Sequence, residues 1–432
     1  MTAAERRSRG SGALAPFKRV HYGWVVVAAG MLTIFASIGF GRFALGMLLP
    51  SMGVSLSLTY AEMGLISTGN LVGYLVAVYG VRFLVRRVGA RWTVTFGLIL
   101  VGGSMIVVGR AIGFSDSLVL YTLTGLGSGI ANVPVMGLVS LWFARQQRGK
   151  AAGLMVIGNG LAIAIAGLLV PAVNGALGPE GWRTNWLILA LVVLAVALVC
   201  GLILRNHPAE LNLVPVGAAP VAAPQGAGKA AVDQHVPLDR RKTRRLLAHL
   251  GTIYALFGGS YVIYATFIVT SLVADHGYTE MTAGTFWIWI GALSMFSGPV
   301  FGSLSDRIGR RAGLAVVFSF QATSYALAAA AGSAGALWLS VVLFGVVAWS
   351  TPSIMAAAVG DYMGAAHAAD AFGTVTVIFG IGQIVGPALA GVAADHYGGF
   401  AASFWLASAL AVAALCLALL LRPPLAATST AC

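Results

Sequence analysis

Gly302-Ser303-Leu304-Ser305-Asp306-Arg307-Ile308-Gly309-Arg310-Arg311 is a short charged turn set between two apolar runs, Ala283 to Leu304 and Gly313 to Ala331. Each run is long enough, as a helix, to cross a hydrocarbon core of roughly 30 Å. The same arrangement recurs outward in both directions. Further spans read Trp24 to Leu49, Ala61 to Val81, Thr93 to Ile112, Leu118 to Phe143, Ala151 to Leu177 and Asn185 to Leu204, then Leu250 to Val273, Leu337 to Gly360, Gly373 to Asp395 and Ala401 to Leu421. With 59% hydrophobic and only 9% charged residues, most of the chain has lipid as its solvent. Helices satisfy every backbone group internally there, and the spans lack the polar–apolar alternation of a membrane β-barrel. The expected fold class is an all-α membrane protein with twelve transmembrane helices.

The net charge of +13 is a matter of topology. Of the 26 Lys and Arg, all but Arg42, Arg110 and Arg183 fall in the first twenty residues, in alternate connections between spans (Arg82 to Arg91, Arg145 to Lys150, Arg205 to Arg245, Arg307 to Arg311) or just after the last span. The positive-inside rule assigns that side to the cytoplasm, so the expectation is a multi-pass protein of a bacterial inner membrane with both termini cytoplasmic and no nucleic-acid partner. The basic start has no small-residue cleavage site after its first apolar run, so the first helix is expected to be retained. Cys200, Cys416 and Cys432 form no spaced framework for a disulfide or a metal.

Composition changes once. From Arg205 to Arg245 the chain turns to Pro, Gly, Ala and charge, as a flexible linker does. The chain divides into a tail 1–20, a six-helix bundle 21–204, a linker 205–248, a second six-helix bundle 249–422 and a tail 423–432. At a constant offset of 220 residues, Leu84 pairs with Leu304, Gly89 with Gly309, Arg91 with Arg311, Gly125 with Gly345, Gly153 with Gly373 and Gly160 with Gly380. Two pseudo-symmetric halves can rock about a site near the membrane midplane.

The stretch from Gly302 to Arg311 resembles the G-x-L-x-D-R-x-G-R-R signature of the major facilitator superfamily. The resemblance implies gating roles for Gly302, Asp306, Arg307, Gly309 and Arg310, with Asp306 accepting from arginines or a helix N-terminus as part of a latch. The first-half counterpart keeps Leu84, Gly89 and Arg91 but has Arg82 for the glycine and Arg86 for the aspartate, which puts a latch there in doubt. Further likeness, in His21-Tyr22-Gly23-Trp24, Ala131-Asn132-Val133-Pro134, Pro208-Ala209-Glu210-Leu211 and Gly380-Ile381-Gly382-Gln383, is to bacterial monocarboxylate and oxalate/formate-type porters. Animal members of that group carry an Asp and, four residues later, an Arg in the eighth helix. Here those positions are Ser294 and Gly298, so their proton-coupled mechanism does not transfer, and Gly298 leaves room for a larger acid.

Arg42 stands inside the first span, where burying a guanidinium costs at least about 2.5–3.5 kcal/mol. Its five-donor fork fits a carboxylate, and no acid lies deep in any span to serve as an internal partner. The alternatives for it are a structural ion pair or snorkelling to the surface. Softer candidates for substrate contact are Asn132, Tyr261, Tyr264, Ser294, Trp349 and Gln383. Tyr254, Tyr261 and Tyr264 are expected on one face of the seventh helix. All seven histidines lie in tails, loops or helix ends, and no phosphate-binding Gly-rich Lys loop is present. The sequence reading is therefore a monomeric secondary transporter without cofactor or catalytic residues. It moves a small organic anion, in first place a monocarboxylate, by alternating access, with a proton as one candidate coupling ion. The rival readings are an efflux carrier for amphipathic drugs or metabolites and a non-transporting membrane sensor on the same fold.

Overall fold

The computed structural model describes residues 21–218, 240–330, 332–364 and 367–421. Both expected tails and residues 219–239 of the expected linker lie outside the described residues. The described chain is helical almost throughout, with eleven apolar runs long enough to cross a membrane. One of them, Tyr60–Val108, has 49 residues. As a single helix it would span about 73 Å, more than twice a hydrocarbon core. It is broken at Gly89, whose φ of 81° and ψ of 166° lie far from helical values. Counting both parts gives twelve helices: α1 (Tyr22–Ser55), α2 (60–88), α3 (90–108), α4 (Phe114–Trp142), α5 (Arg148–Leu177), α6 (Gly181–Ile203), α7 (Arg240–Ala274), α8 (Glu280–Ile308), α9 (Arg310–Ala330), α10 (Ala334–Met363), α11 (Ala368–Tyr397) and α12 (Ala401–Leu419).

The repeat is visible in local geometry. Gly309, the offset partner of Gly89, ends α8 with φ 90° and ψ 152°. This left-handed region costs an L side chain roughly 1–2 kcal/mol, so glycine at both positions lets the two helix pairs turn within one residue. Thr59 and Thr279, also 220 apart, cap α2 and α8: each hydroxyl accepts the backbone N–H three residues on, at 3.2 Å. The second span thus reaches Val88 without the loop expected from its arginines. The tenth span departs from expectation too, since the helix is interrupted at Ala348 and Trp349.

The halves meet along α2 with α11 and α5 with α8, at glycines that let backbones touch. A methyl group at Gly64 would overlap the Pro387 carbonyl, one at Gly391 the Tyr60 carbonyl and one at Gly284 the Gly167 carbonyl. Nearer the arginine-rich end these contacts disappear: a methyl at Gly153 or Gly373 would meet nothing within 4 Å. The opposite end is also fastened by directed bonds between halves. Asp395 on α11 accepts from the Tyr60 and Ala61 N–H groups at 2.8 Å each, and Asn174 on α5 donates to Glu280 on α8 at 2.7 Å. The halves therefore splay toward the basic end and close at the other. Above that closure a cleft of about 350 Å³ opens between Pro50, Tyr60, Met63, Thr270 and Asp395.

Candidate functional site

The centre of the molecule is organised by an irregularity in α1. Residues Phe35–Phe43 form a π-helical stretch, which widens the backbone and rotates the side chains that follow. Close packing and outside bonds hold it. A methyl at Gly39 would overlap Ala162, and one at Gly41 would lie 2.9 Å from Ser128 Oγ. Ser128 donates to the Ser37 carbonyl at 2.6 Å, Asn70 Nδ2 to the Gly41 carbonyl at 3.0 Å and the Tyr121 hydroxyl to the Arg42 carbonyl at 2.8 Å. Asn70 also donates to the Tyr121 carbonyl at 3.2 Å, so α1, α2 and α4 are tied into one frame around Arg42.

That frame presents the guanidinium at the boundary between the halves. Arg42 Cζ lies 4.5 Å from the centre of the Tyr74 ring, a cation–π distance. Its Nε and Nη2 are buried without a hydrogen-bond partner. Glu180 pairs with Arg183, and Arg310 with Asp306 and Asp361, all at helix ends, whereas Arg42 has no ion pair among the described residues. A small cavity of about 20 Å³, room for a water molecule, lies beside Arg42 between Ser67, Val262 and Thr266.

Several of the expected residues gather here. Asn132 donates to the Tyr74 hydroxyl at 2.8 Å. Across the boundary Tyr261 lies beside Arg42, and Gln383 donates to its hydroxyl. Each phenol thus accepts from an amide and keeps its own O–H proton to donate. Trp349 joins the halves by ring contacts with Phe43 at 5.1 Å and Tyr261 at 5.8 Å, and its Nε1 is buried without a partner. The interruption of α10 brings that indole to the site, and Ser297 Oγ fixes the backbone there by accepting the Trp349 main-chain N–H at 3.1 Å. The polar side chains gathered at this part of the boundary are mainly donors, an arrangement suited to an electron-rich guest.

Two expected contacts lie elsewhere. Tyr264 shares a hydrogen bond with Ser340 at 2.7 Å and packs on Tyr325, Phe344 and Phe404, inside the second half. It is about 60° around the helix from Tyr261, enough to turn it away from the boundary. Ser294 donates to the Gly291 carbonyl of its own helix at 2.9 Å and packs where α8 meets Gly160 of α5. Nor does Gly298 enlarge the site, because a methyl there would meet Ser353 Oγ at 3.1 Å. Conversely, Tyr74, Asn70 and Tyr121 belong to the site and carried no assignment from sequence. Their role depends on contacts with α1, which no local spacing encodes.

The signature turn holds the second half together at the basic end. Arg310 pairs with Asp306, donates to Ser305 Oγ at 2.8 Å and to Asp361 on α10 at 2.7 Å. Arg307 and Gly309 are exposed, and Gly302 is loosely packed beside Ser353. Asp306 is thus engaged within its own half in this conformation.

Comparison with known proteins agrees with this architecture. The chain is 26% identical over 400 residues to the hexuronate transporter of Bacillus subtilis (strain 168), covering 88% of this chain and 91% of that protein. It is 29% identical over 415 residues to monocarboxylate transporter 11 of Mus musculus, covering 90% and 84%. Its fold matches the crystal structure of a bacterial homologue of the human lysosomal transporter Spinster, inward-facing and unoccupied, with a TM-score of 0.71 at 15% identity over 95% of this chain and 97% of that one. The family model described as "Uncharacterised MFS-type transporter YbfB" matches residues 34–421, and the chain belongs to this family of major facilitator transporters.

Proposed function

We propose that the protein moves a small organic anion, in first place a monocarboxylate, across a bacterial inner membrane by alternating access of its two halves, with Arg42 as the main charge-recognition residue. One observation carries this reading: a guanidinium at the boundary of the halves keeps two buried nitrogens without a hydrogen-bond partner, and no carboxylate among the described residues is paired with it. A buried donor left unmade costs about 1–3 kcal/mol, more when charged, and a bound carboxylate recovers that cost by a charge-assisted, two-pronged contact. In this reading the Trp349 indole and the Tyr74 and Tyr261 hydroxyls complete the anion's shell. The names of the hexuronate and monocarboxylate relatives favour the same substrate class. In this reading the basic end faces the cytoplasm, and residues 205–248 tether the halves.

The test is uptake by the purified protein in proteoliposomes, with a panel of radiolabelled monocarboxylates and hexuronates. Binding and uptake of at least one acid, strongly reduced in Arg42→Ala, is the expected result. Uptake of the same acid at the wild-type rate by both Arg42→Ala and Arg42→Lys would remove that residue from recognition. The aromatic stack of Tyr254, Phe257, Tyr261 and Phe379 supports a second reading, efflux of amphipathic compounds. Thermal stabilisation by lipophilic cations and by no acid would favour it. Flux of any solute separates both from a non-transporting sensor.

A further inference from the structure

The cleft at the closed end is built from corresponding residues of the two halves. Pro50, Gly53 and Val54 near the end of α1 fall, at the 220-residue offset, on Thr270, Val273 and Ala274 of α7, and all of them line it. The two helices touch one turn deeper, where a methyl at Gly46 would lie 2.7 Å from the Ala265 carbonyl, and they part beyond that contact. Met63 of α2 adds a wall, its thioether end filling the space that a side chain at Gly53 would need. The result is a mainly apolar hollow of about 350 Å³, the size of a small-molecule site.

Its polar groups break that symmetry. Where the first half has Pro50, the second has Thr270, only 2% exposed, whose hydroxyl is buried without a hydrogen-bond partner. Asp395, which also lines the cleft, falls on Gly175 in the first half. Each of its oxygens accepts one main-chain N–H, from Tyr60 and from Ala61, so both keep a lone pair, and among the described residues no cation is paired with it. Asp275, which accepts the Phe400 N–H at 3.0 Å behind the Tyr60 ring, and Glu62, which caps α2, add negative charge to this end. A carboxylate and an unpaired hydroxyl beside apolar walls select a guest with an apolar body and N–H donors on a positive head, opposite in charge to the guest that suits Arg42.

We infer that this cleft is a binding site for an amphipathic organic ammonium ion, separate from the central site. The N–H groups of the guest donate to Asp395 and to the Thr270 hydroxyl, and its apolar body lies between Pro50, Val54 and Met63. The walls come from both halves, so the guest binds the conformation in which this end is closed and holds it there. It slows exchange between the access states and is not itself carried.

The probe is phenylbutylamine, with phenylbutanol, which has the same apolar body and no charge, as its control. In a background with Cys200, Cys416 and Cys432 replaced by serine, Val54→Cys puts a thiol on the rim of the cleft, at a position 80% exposed. Its alkylation rate in the purified protein is measured with and without each compound. The amine is expected to slow alkylation severalfold and the alcohol to leave it nearly unchanged. Asp395→Asn is expected to remove most of the protection. Thr270→Val, close in shape and outside the bonds between the halves, is expected to raise the half-protecting concentration severalfold, each variant being compared with its own rate without amine. Gly153→Cys in the same background reports the open end and is expected to react as fast with the amine as without it, or faster. Equal protection by the alcohol, or protection unchanged in both Asp395→Asn and Thr270→Val, overturns the site. Slower alkylation of Gly153→Cys with the amine overturns its hold on this conformation. None of these outcomes touches the assignment of Arg42.

Discussion

Displaced by the 220-residue repeat, Arg42, Asn70 and Tyr121 of the first half fall on Val262, Ile290 and Val341 of the second. The first set surrounds the π-helical stretch of α1 and the unpaired guanidinium; the second is buried apolar packing. The halves share their scaffold, down to the capping threonines and the left-handed glycines, yet at these three corresponding positions only the first carries a charge. A duplicated bundle supplies symmetric packing that can rock, and recognition arises where the copies differ. The second half contributes the receiving wall instead, Tyr261, Gln383 and an indole presented by the interruption of α10.

Making the halves alike at one position is the sharpest way to break this comparison. Arg42→Val, which copies the second half, is expected to lower uptake of the transported acid by roughly 10- to 100-fold, the range for losing a hydrogen bond to a charged group. Gln383→Leu in the second half is expected to cost less, because Tyr261 keeps its own proton to donate. Initial rates in proteoliposomes at fixed protein density compare the two. A larger loss from Gln383→Leu would move the centre of recognition across the boundary.

Asn70→Ile asks whether the π-helical stretch is held from outside. It removes two hydrogen bonds to buried carbonyls, at Gly41 and Tyr121, and about 1–3 kcal/mol of stability is expected to go with them. A lower thermal midpoint together with weaker uptake is the predicted pair of results. An unchanged uptake rate would mean that Arg42 keeps its position without that bridge.

Alanine at the two turn glycines sharpens the symmetric side of the comparison. Gly89→Ala and Gly309→Ala each place a side chain in the left-handed region and are expected to cost about 1–2 kcal/mol by that alone. The first should cost more, since its methyl would lie 2.9 Å from Asn206 Oδ1 while the second meets nothing within 4 Å. Thermal midpoints of the two variants, measured in the same detergent, rank them.

The smallest effect belongs to a contact found only in the first half. Glu180, in the loop after α5, is held below the usual carboxylate range by the Ser55 hydroxyl and then by Arg183. A depressed folded pKa gives stability that is present above the ordinary carboxylate pKa and lost as pH falls through the lowered one. Glu180→Gln should therefore lower the thermal midpoint slightly at neutral pH. The difference from the parent protein should vanish in acid.

Much of this was legible in the residues. The spans, their number and the side on which the cations collect follow from hydropathy and charge, and Gly89 and Gly309 could be paired by counting. Arg42 stood out because a guanidinium in an apolar run is costly wherever the helix faces. Tyr264 has different neighbours from Tyr261, since spacing of three residues brings side chains near one another but not to the same partner. Ser294 stands at a position of a family pattern whose charge this chain lacks. Tyr74 went unassigned because a tyrosine in a membrane helix acquires its role only from the ring, cation or lipid it meets.

By itself the sequence determined the membrane-spanning class, the two-half repeat and the presence of one isolated cation, because apolar length, periodic duplication and the cost of a buried charge are properties of the chain alone. Tertiary structure decided which groups surround that cation and which end of the boundary is closed. Those depend on how helices distant in sequence are set side by side, and a difference of one turn in that register changes every contact between them.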